Sequence, residues 1–251
     1  MIETIEARDS GYHYLPGVFQ YSCGVGALPG FALQRVRFSK VVPLKEGFAR
    51  IAETLKQAGR PLTAFAACEL RSPAPFTEQG FRDFNEVYIK TIEDWGIMTN
   101  RLNPIARSNV CPKIDPPSEP GFHAFSFTTV EPGAPSSFVI AGSGESAEGK
   151  GDYRDNIVRY GDISPSGMLE KAKWVLGEME RRMQAFGGDW SQTTGAQLYT
   201  VHDIYPLLES ELGGRGVLRN GLTWHLNRPP VEGLEFEMDC RRVHTERVID
   251  V

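Results

Sequence analysis

Apolar positions recur with helical spacing in three stretches of the chain. Leu44, Phe48, Ile51, Leu55 and Ala58 form one stripe, because residues three and four apart share a helix face. Pro43 stands where a helix can begin, its missing N–H costing nothing there, and Gly59 stops the run. Phe81, Phe84, Tyr88, Ile92 and Trp95 make a second stripe within Phe76–Trp95. A third, Met168, Ala172, Val175, Met179, Met183 and Phe186, starts after Ser164-Pro165 and closes at Gly187-Gly188. A short helix is predicted near Ile204–Leu212. The remaining apolar runs predict strands at Gln20–Cys23, Leu33–Val42, Leu62–Leu70, Ala106–Cys111 and Phe122–Val130 in the first half. In the second half they fall at Ser137–Gly142, Gly195–Val201, Leu218–Leu226 and Leu234–Cys240.

The two halves repeat one order of strands and helices, each with a long helix closed by glycine, at a spacing of roughly 120 residues. Such a repeat predicts a duplicated unit; its competitor is chance similarity between common α/β element orders. Glu131-Pro132-Gly133-Ala134-Pro135 is a natural boundary, giving domains 1–131 and 136–251. Gly142–Gly161 is long, polar and glycine-rich, as lids and binding loops are.

Composition narrows the partners. Of 251 residues, 27 are Lys or Arg and 32 Asp or Glu, a net charge of −5, and no basic run offers a face to a phosphate backbone. Nucleic acid is therefore not an expected partner. No apolar run approaches the ~20 residues of a membrane helix, so no membrane partner is expected either. The N-terminus lacks the basic and apolar regions of a signal peptide, which leaves a cytoplasmic location as the expectation. Cys23, Cys68, Cys111 and Cys240 form no CxxC pair and read as free buried thiols. The five histidines show no ligand spacing, and no metal is expected. Gly144–Gly151 approaches a phosphate-binding loop but has Gly151 where the magnesium-binding Ser or Thr belongs.

Specific motifs then carry a resemblance. FRDFNEVYIKTIEDWG (Phe81–Gly96) followed by NPIARSNV (Asn103–Val110), with QYSCGVG (Gln20–Gly26) upstream, resembles the Rid family (YjgF-like, reactive intermediate deaminase). In the second half FVIAGSG (Phe138–Gly144), AFGGDWSQTTGAQLYTVHD (Ala185–Asp203) and RPPVEGLEFEMDC (Arg228–Cys240) resemble the same family's later segments. The resemblance covers most of Gln20–Arg242. It implies an α/β (α+β) fold of two tandem chorismate-mutase-like, Rid-like domains, each a mixed sheet with two helices on one face. It also implies a homotrimer and hydrolysis of small enamine or imine acids to keto acids and ammonia, with no metal or organic cofactor.

The family's carboxylate-binding arginine falls on Arg107, and a guanidinium suits that role as a permanently charged fork. Tyr21 and Ser39 fall where the family has pocket residues, and Asn85 on the NEVY asparagine, where a structural capping role competes. The halves depart from the pattern in complementary ways. The second half has Trp224 or its neighbours in place of the arginine. The first ends in FHAFSF (Phe122–Phe127) and lacks the glutamate that positions water. Glu235, Glu237 and Asp239 alternate in the second half on one strand face, either as that acid or as a solvated face beside Arg241 and Arg242. A hybrid cleft follows, with Arg107 from one half, Glu237 or Asp239 from the other, and the Gly142–Gly161 loop closing over it. The expected partner is a small carboxylate metabolite. An aminomuconate-like intermediate of aromatic catabolism is one candidate, since 2-aminomuconate deaminases are Rid-like. A chorismatase-like hydrolase and a non-catalytic metabolite-binding oligomer are the alternatives.

Overall fold

The computed structural model describes residues 3–147 and 149–251. From the N-terminus, short strands β1 (Ile5–Ala7), β2 (Tyr12–Leu15) and β3 (Gly24–Ala27) precede the long β4 (Phe31–Pro43) and helix α1 (Leu44–Gln57). Then come β5 (Phe65–Arg71), α2 (Glu78–Asp94), β6 (Ala106–Pro112) and β7 (Gly121–Val130). The second half runs β8 (Phe138–Gly144), α3 (Tyr153–Asn156), α4 (Pro165–Gln184), β9 (Gly195–Tyr199) and α5 (Tyr205–Leu207). It ends with β10 (Thr223–His225), β11 (Asn227–Arg228), β12 (Glu237–Arg242) and β13 (Thr245–Ile249).

Two sheets result, ordered β11-β6-β5-β7-β4-β13 and β1-β2-β3-β8-β12-β9-β10. Each contains the same four-strand pattern. In one, β5 runs parallel to β6 and antiparallel to β7, which pairs with β4. In the other, β9 runs parallel to β10 and antiparallel to β12, which pairs with β8. The repeat legible in the sequence is thus a repeat of topology. Strands also cross between the units: β3 pairs with β8 of the second half, while β13 lies parallel to β4 and β11 pairs with β6 of the first.

The helices form where their stripes predict and for the stated reason. Thr77 Oγ1 accepts the Gly80 N–H at the start of α2, and Ser164 Oγ accepts that of Gly167 at the start of α4, with Pro165 in the first turn, so orphan donors are satisfied at both N-termini. Phe48, Ile51, Leu55, Tyr88, Ile89 and Ile92 bury the stripes of α1 and α2 against β4, β5 and β7. Met168, Ala172, Val175, Met179 and Met183 bury that of α4 against β8, β9 and β12. A third apolar cluster, with Tyr12, Val25, Leu33, Ala67, Ala106 and Ala141, lies between the sheets. The four cysteines are buried and none is in a disulfide. Among the described residues no helix is long and apolar enough to cross a membrane.

Four local expectations need correction. The strand expected at Leu218–Leu226 is a 3-10 turn followed by the short β10, because Gly216 and Gly221 adopt φ of 87° and 90°, which an extended strand cannot hold. The strand expected from Leu234 begins only at Glu237, after a turn through Gly233. The strand expected at Gln20–Cys23 begins at Gly24. Gly142–Gly161 is not one structureless loop: β8 runs through Gly144, Ser146 bridges to Ile157, and α3 lies between. Glu148, within that stretch and within the failed phosphate-loop motif, lies outside the described residues, as do Met1 and Ile2 of the N-terminal segment read for a signal peptide.

Candidate active site at the junction of the halves

Arg107 stands on β6, fully enclosed by the fold. Its guanidinium carbon lies 4.7 Å from the centre of the Tyr88 ring, 5.1 Å from Tyr21, 5.7 Å from Phe81 and 5.8 Å from Phe84. Three of these rings come from α2, whose aromatic stripe therefore supplies both core and a cradle for a cation. Ring faces attract a guanidinium but satisfy none of its N–H groups. Nη1 and Nη2 are buried without a hydrogen-bond partner. A buried charge left so is costly, and an anionic ligand would relieve that cost.

A cavity opens beside Arg107, lined also by Tyr21, Phe81, Asn109 and Ser146, with Glu237 in its wall and Pro230, Val231 and Leu234 over it. Glu237 comes from β12, in register with Gly144 of β8 and Tyr199 of β9. Gly142 lets the two sheets meet here. A Cβ on Gly142 would collide with the Glu237 carboxylate and come 2.9 Å from Ser108 Cβ. The apolar cover is held by backbone bonds: Phe76 N–H donates to Pro230 O at 2.7 Å and Glu232 N–H to Phe76 O at 3.0 Å.

Two buried cations of α4 fix the floor from beneath. Arg182 Nη1 donates to the carbonyls of Ala141 and Gly142 at 3.2 and 3.4 Å. Lys171 Nζ lies 3.1 Å from Glu145 Oε1, neither side chain having any exposure, and donates to Val158 O at 2.8 Å. Glu145 in turn accepts the backbone N–H groups of Glu235 and Phe236 at 2.7 and 3.0 Å, which ties down the approach to Glu237. Burial pushes the Glu145 carboxyl above its ordinary range, against the pull of Lys171 and these amides.

Asp239 is buried on the same strand but lines a second, narrow gap between the sheets with Glu69, Ser108 and Arg107. Gln197 Nε2 and Tyr199 OH donate to it at 2.9 and 2.8 Å. Burial and the neighbouring Glu69 raise its pKa. Burial would raise Glu69 too, but Arg35, donating at 2.6 and 2.9 Å, holds it well below the usual carboxylate range. His123 is pushed down to about 3 and His225 to about 4, in both cases by burial and then by Arg71.

The residues singled out in the sequence therefore separate. Arg107, Tyr21 and Glu237 share one cavity. Asp239 lies in the adjoining gap. Glu235 sits outside it, paired with His202 at 2.7 Å and Arg228 at 2.8 Å. Asn85 is buried on α2, its Nδ2 donating to Phe81 O at 2.7 Å, which braces the helix that carries the ring cradle. Ser39 is exposed on β4 beside Asp115 and Glu119, away from the cavity. Trp224 lies on β10, the topological counterpart of β6, with Nε1 donating to Thr200 O. The solvated-face reading of Glu237 and Asp239 does not hold, since both are buried. Sequence reasoning passed over Asn109, Ser146, Gly142 and Glu145. Strand alternation from Arg107 could have found Asn109; nothing in the sequence marked the others. Among the described residues no three His, Cys, Asp or Glu side chains are grouped so as to hold a metal ion.

Two matching sheet-and-helix units, joined so that an arginine of one and a glutamate of the other line a common cavity, define a tandem Rid-like protein. The chain belongs to the 2-aminomuconate deaminase CnbZ family, which it matches over residues 4–247. It is 48% identical over 251 residues to the 2-amino-5-chloromuconate deaminase of Comamonas testosteroni, covering 99% of this chain and 100% of that one. Among solved structures, a chorismatase shares its fold with a TM-score of 0.55 at 11% identity, over 96% of this chain and 80% of that one. The YjgF gene product of E. coli matches 43% of this chain with 80% of its own, at 11% identity and a TM-score of 0.31.

Proposed function

We propose that the protein is a hydrolytic deaminase of 2-aminomuconate-type enamine acids, releasing ammonia and leaving the 2-oxo acid. The observation that carries this reading is the Arg107 guanidinium, buried with two unpartnered nitrogens in a cavity it shares with Glu237. Family membership and the 48% identical deaminase support the substrate class.

In this reading Arg107 holds the carboxylate next to the amino-bearing carbon through a two-point fork, with Tyr21 and Phe81 against the conjugated chain. A proton added to the carbon beta to nitrogen turns the enamine into an iminium. Water then forms a C–O bond at the iminium carbon, its π pair moving to nitrogen, while Glu237 takes the water's proton and returns it to nitrogen. The hydroxyl oxygen then gives up its proton and forms the C=O bond as the C–N pair leaves on ammonia, which returns the proton spent on carbon. Water is consumed, one ammonia is lost, and no electrons change hands. Positioning and proton transfer are what an arginine fork and an adjacent carboxylate accelerate. Asp239, with its raised pKa, is a proton reserve across Ser108, while Asn85 acts by bracing α2 and Ser39 takes no part.

The division into units 1–131 and 136–251, a homotrimer that closes the remaining sheet and helix surfaces, a cytoplasmic location and the absence of any cofactor belong to the same proposal. The likeness to a chorismatase at 11% identity concerns the fold and gives that activity no separate support. The test is ammonia release from 2-aminomuconate generated in place. One ammonia per substrate well above the uncatalysed rate is expected; release at the uncatalysed rate would overturn the assignment.

A further inference from the structure

Buried polar groups almost always find partners, so a cluster of exceptions marks a place where something is to be bound. Among the described residues, eight buried side-chain nitrogen and oxygen atoms have no hydrogen-bond partner. Four of them are Arg107 Nη1 and Nη2, Asn109 Nδ2 and Ser146 Oγ, and all three residues line the one cavity. The carboxylate fork accounts for the two arginine nitrogens. Asn109 and Ser146 remain.

Neither is a loose surface group. Asn109 and Ser146 are each about 3% exposed. The Ser72 hydroxyl donates to Asn109 Oδ1 at 2.9 Å, which fixes the amide, while its Nδ2 is buried without a partner. Ser146 is held by a backbone bond to Gly144 O at 2.9 Å and by its bridge to Ile157, next to the Glu145 that Lys171 and two backbone amides lock in place. Arg107 and Asn109 alternate on β6 and so enter from the same strand face, about 6–7 Å apart along the backbone. That span is of the order of the distance between the ends of an extended six-carbon diacid.

The cavity thus presents hydrogen-bond donors at two places, one charged and one neutral. Glu237 places a carboxylate in the wall between them, and Tyr21, Phe81, Val231 and Leu234 provide apolar walls. A matching ligand has an acceptor group at each end, a donor between them and a flat apolar spine. We propose that Asn109 and Ser146 form an uncharged second clamp for the far carboxylate of a conjugated six-carbon dicarboxylate, Arg107 holding the near one. This deepens the functional reading above and rests on it for the placement of Arg107. The clamp makes the site selective for diacids over monoacids, because a buried donor left unpaired penalises the ligand that lacks the acceptor.

The test compares binding of trans,trans-muconate with that of sorbate, the same six-carbon diene with a methyl group at one end, by calorimetry. Wild-type protein is expected to bind muconate at least about tenfold more tightly, the effect of hydrogen bonds to a charged group. In the Asn109→Leu/Ser146→Ala double variant that ratio falls towards one, and in Arg107→Lys both ligands weaken. If the double variant does not fold, the wild-type ratio and the single Ser146→Ala variant carry the test. Equal affinities in the wild type, no muconate binding at all, or a ratio that survives the double substitution would each overturn the clamp. Ammonia release together with equal affinities removes the clamp and leaves the deaminase standing. A muconate preference without ammonia release does the reverse.

Discussion

Arg107 and Glu237 lie on different sheets, β6 of one and β12 of the other, and face a single cavity across the missing side chain of Gly142. Neither half of the chain holds this pair alone. The second unit has Trp224 on the strand matching β6, and the first has Phe122–Phe127, which holds no carboxylate, on the strand matching β12.

Gly142→Ala tests how closely the halves must approach. The added methyl group has to displace the Glu237 carboxylate or the β6 backbone at Ser108. Overpacking of this kind costs about 1–3 kcal/mol, and a misplacement near 1 Å can cost roughly 10²-fold in rate. The variant is expected to fold with a lowered Tm and to lose most of its ammonia-releasing activity. Full activity would mean that the glutamate is not held where the reaction needs it.

Arg107→Lys keeps the charge but loses the planar fork and much of its stacking on Tyr21, Phe81, Phe84 and Tyr88. Loss of a charge-assisted bond costs about 1.5–3 kcal/mol, or roughly 10–150-fold in kcat/KM. Steady-state kinetics on 2-aminomuconate measure it, and unchanged kinetics would remove Arg107 from the site.

Glu237→Gln preserves shape and removes the base. A drop in kcat of about 10²–10⁴-fold is expected, with muconate affinity changed far less. A variant that loses binding and turnover equally would assign Glu237 to substrate recognition instead.

What the sequence revealed follows from how local each interaction is. The stripes of α1, α2 and α4 were legible because Phe48, Tyr88 and Met179 belong to 3.6-residue patterns set within a few turns. The Arg107 strand was legible through its motif. The pairing of β3 with β8 and of β13 with β4 was not, since strand partners far apart in sequence leave no periodic trace. The same holds for Ser146, whose interest lies in lacking a partner in space. Glu145 fell within a stretch whose glycines and charges suggested an exposed loop, yet it is buried on Lys171. Only the three-dimensional pairing explains a carboxylate there.

Acid should loosen the junction before it protonates ordinary carboxylates. His123 and His225 are held neutral, with pKa values pushed down to about 3 and 4, amid Arg71, Arg35, Arg241 and Glu69. The unfolded chain binds these protons near pH 6.5, so between about 6.5 and 4 it carries more protons than the folded one. Stability therefore falls as pH falls, by up to about 1.4 kcal/mol per pH unit for each histidine. Asp239 and Glu145, whose pKa values are raised, act in the opposite direction above their ordinary values, so the histidine contribution between about 6.5 and 4 is read from its loss in a variant. Denaturant melts across that range check it, and His123→Gln should flatten the slope. A slope unchanged in that variant would rule out His123 as its source.

Lys171→Met separates an electrostatic lock from simple packing. The substitution leaves Glu145 buried with only backbone N–H partners, and breaking a buried pair from one side costs about 3–5 kcal/mol. Burial already raises the Glu145 pKa in the presence of the lysine, and removing the cation raises it further. A carboxyl with a raised folded-state pKa contributes stability that is fully present below its unfolded value, near 4.5, and lost as pH rises through the folded value. The deficit of Lys171→Met relative to wild type should thus be largest near neutral pH and shrink towards pH 5, where Glu145 can hold a proton. Acid effects on His123 and His225 are common to both proteins and cancel in the difference. Because Glu145 anchors the amides of Glu235 and Phe236 beside Glu237 and adjoins Ser146 of the proposed clamp, the surviving folded variant should lose both kcat and muconate affinity. A deficit that stays constant from pH 5 to 8 would mean that Lys171 fills space and that its charge holds nothing in place.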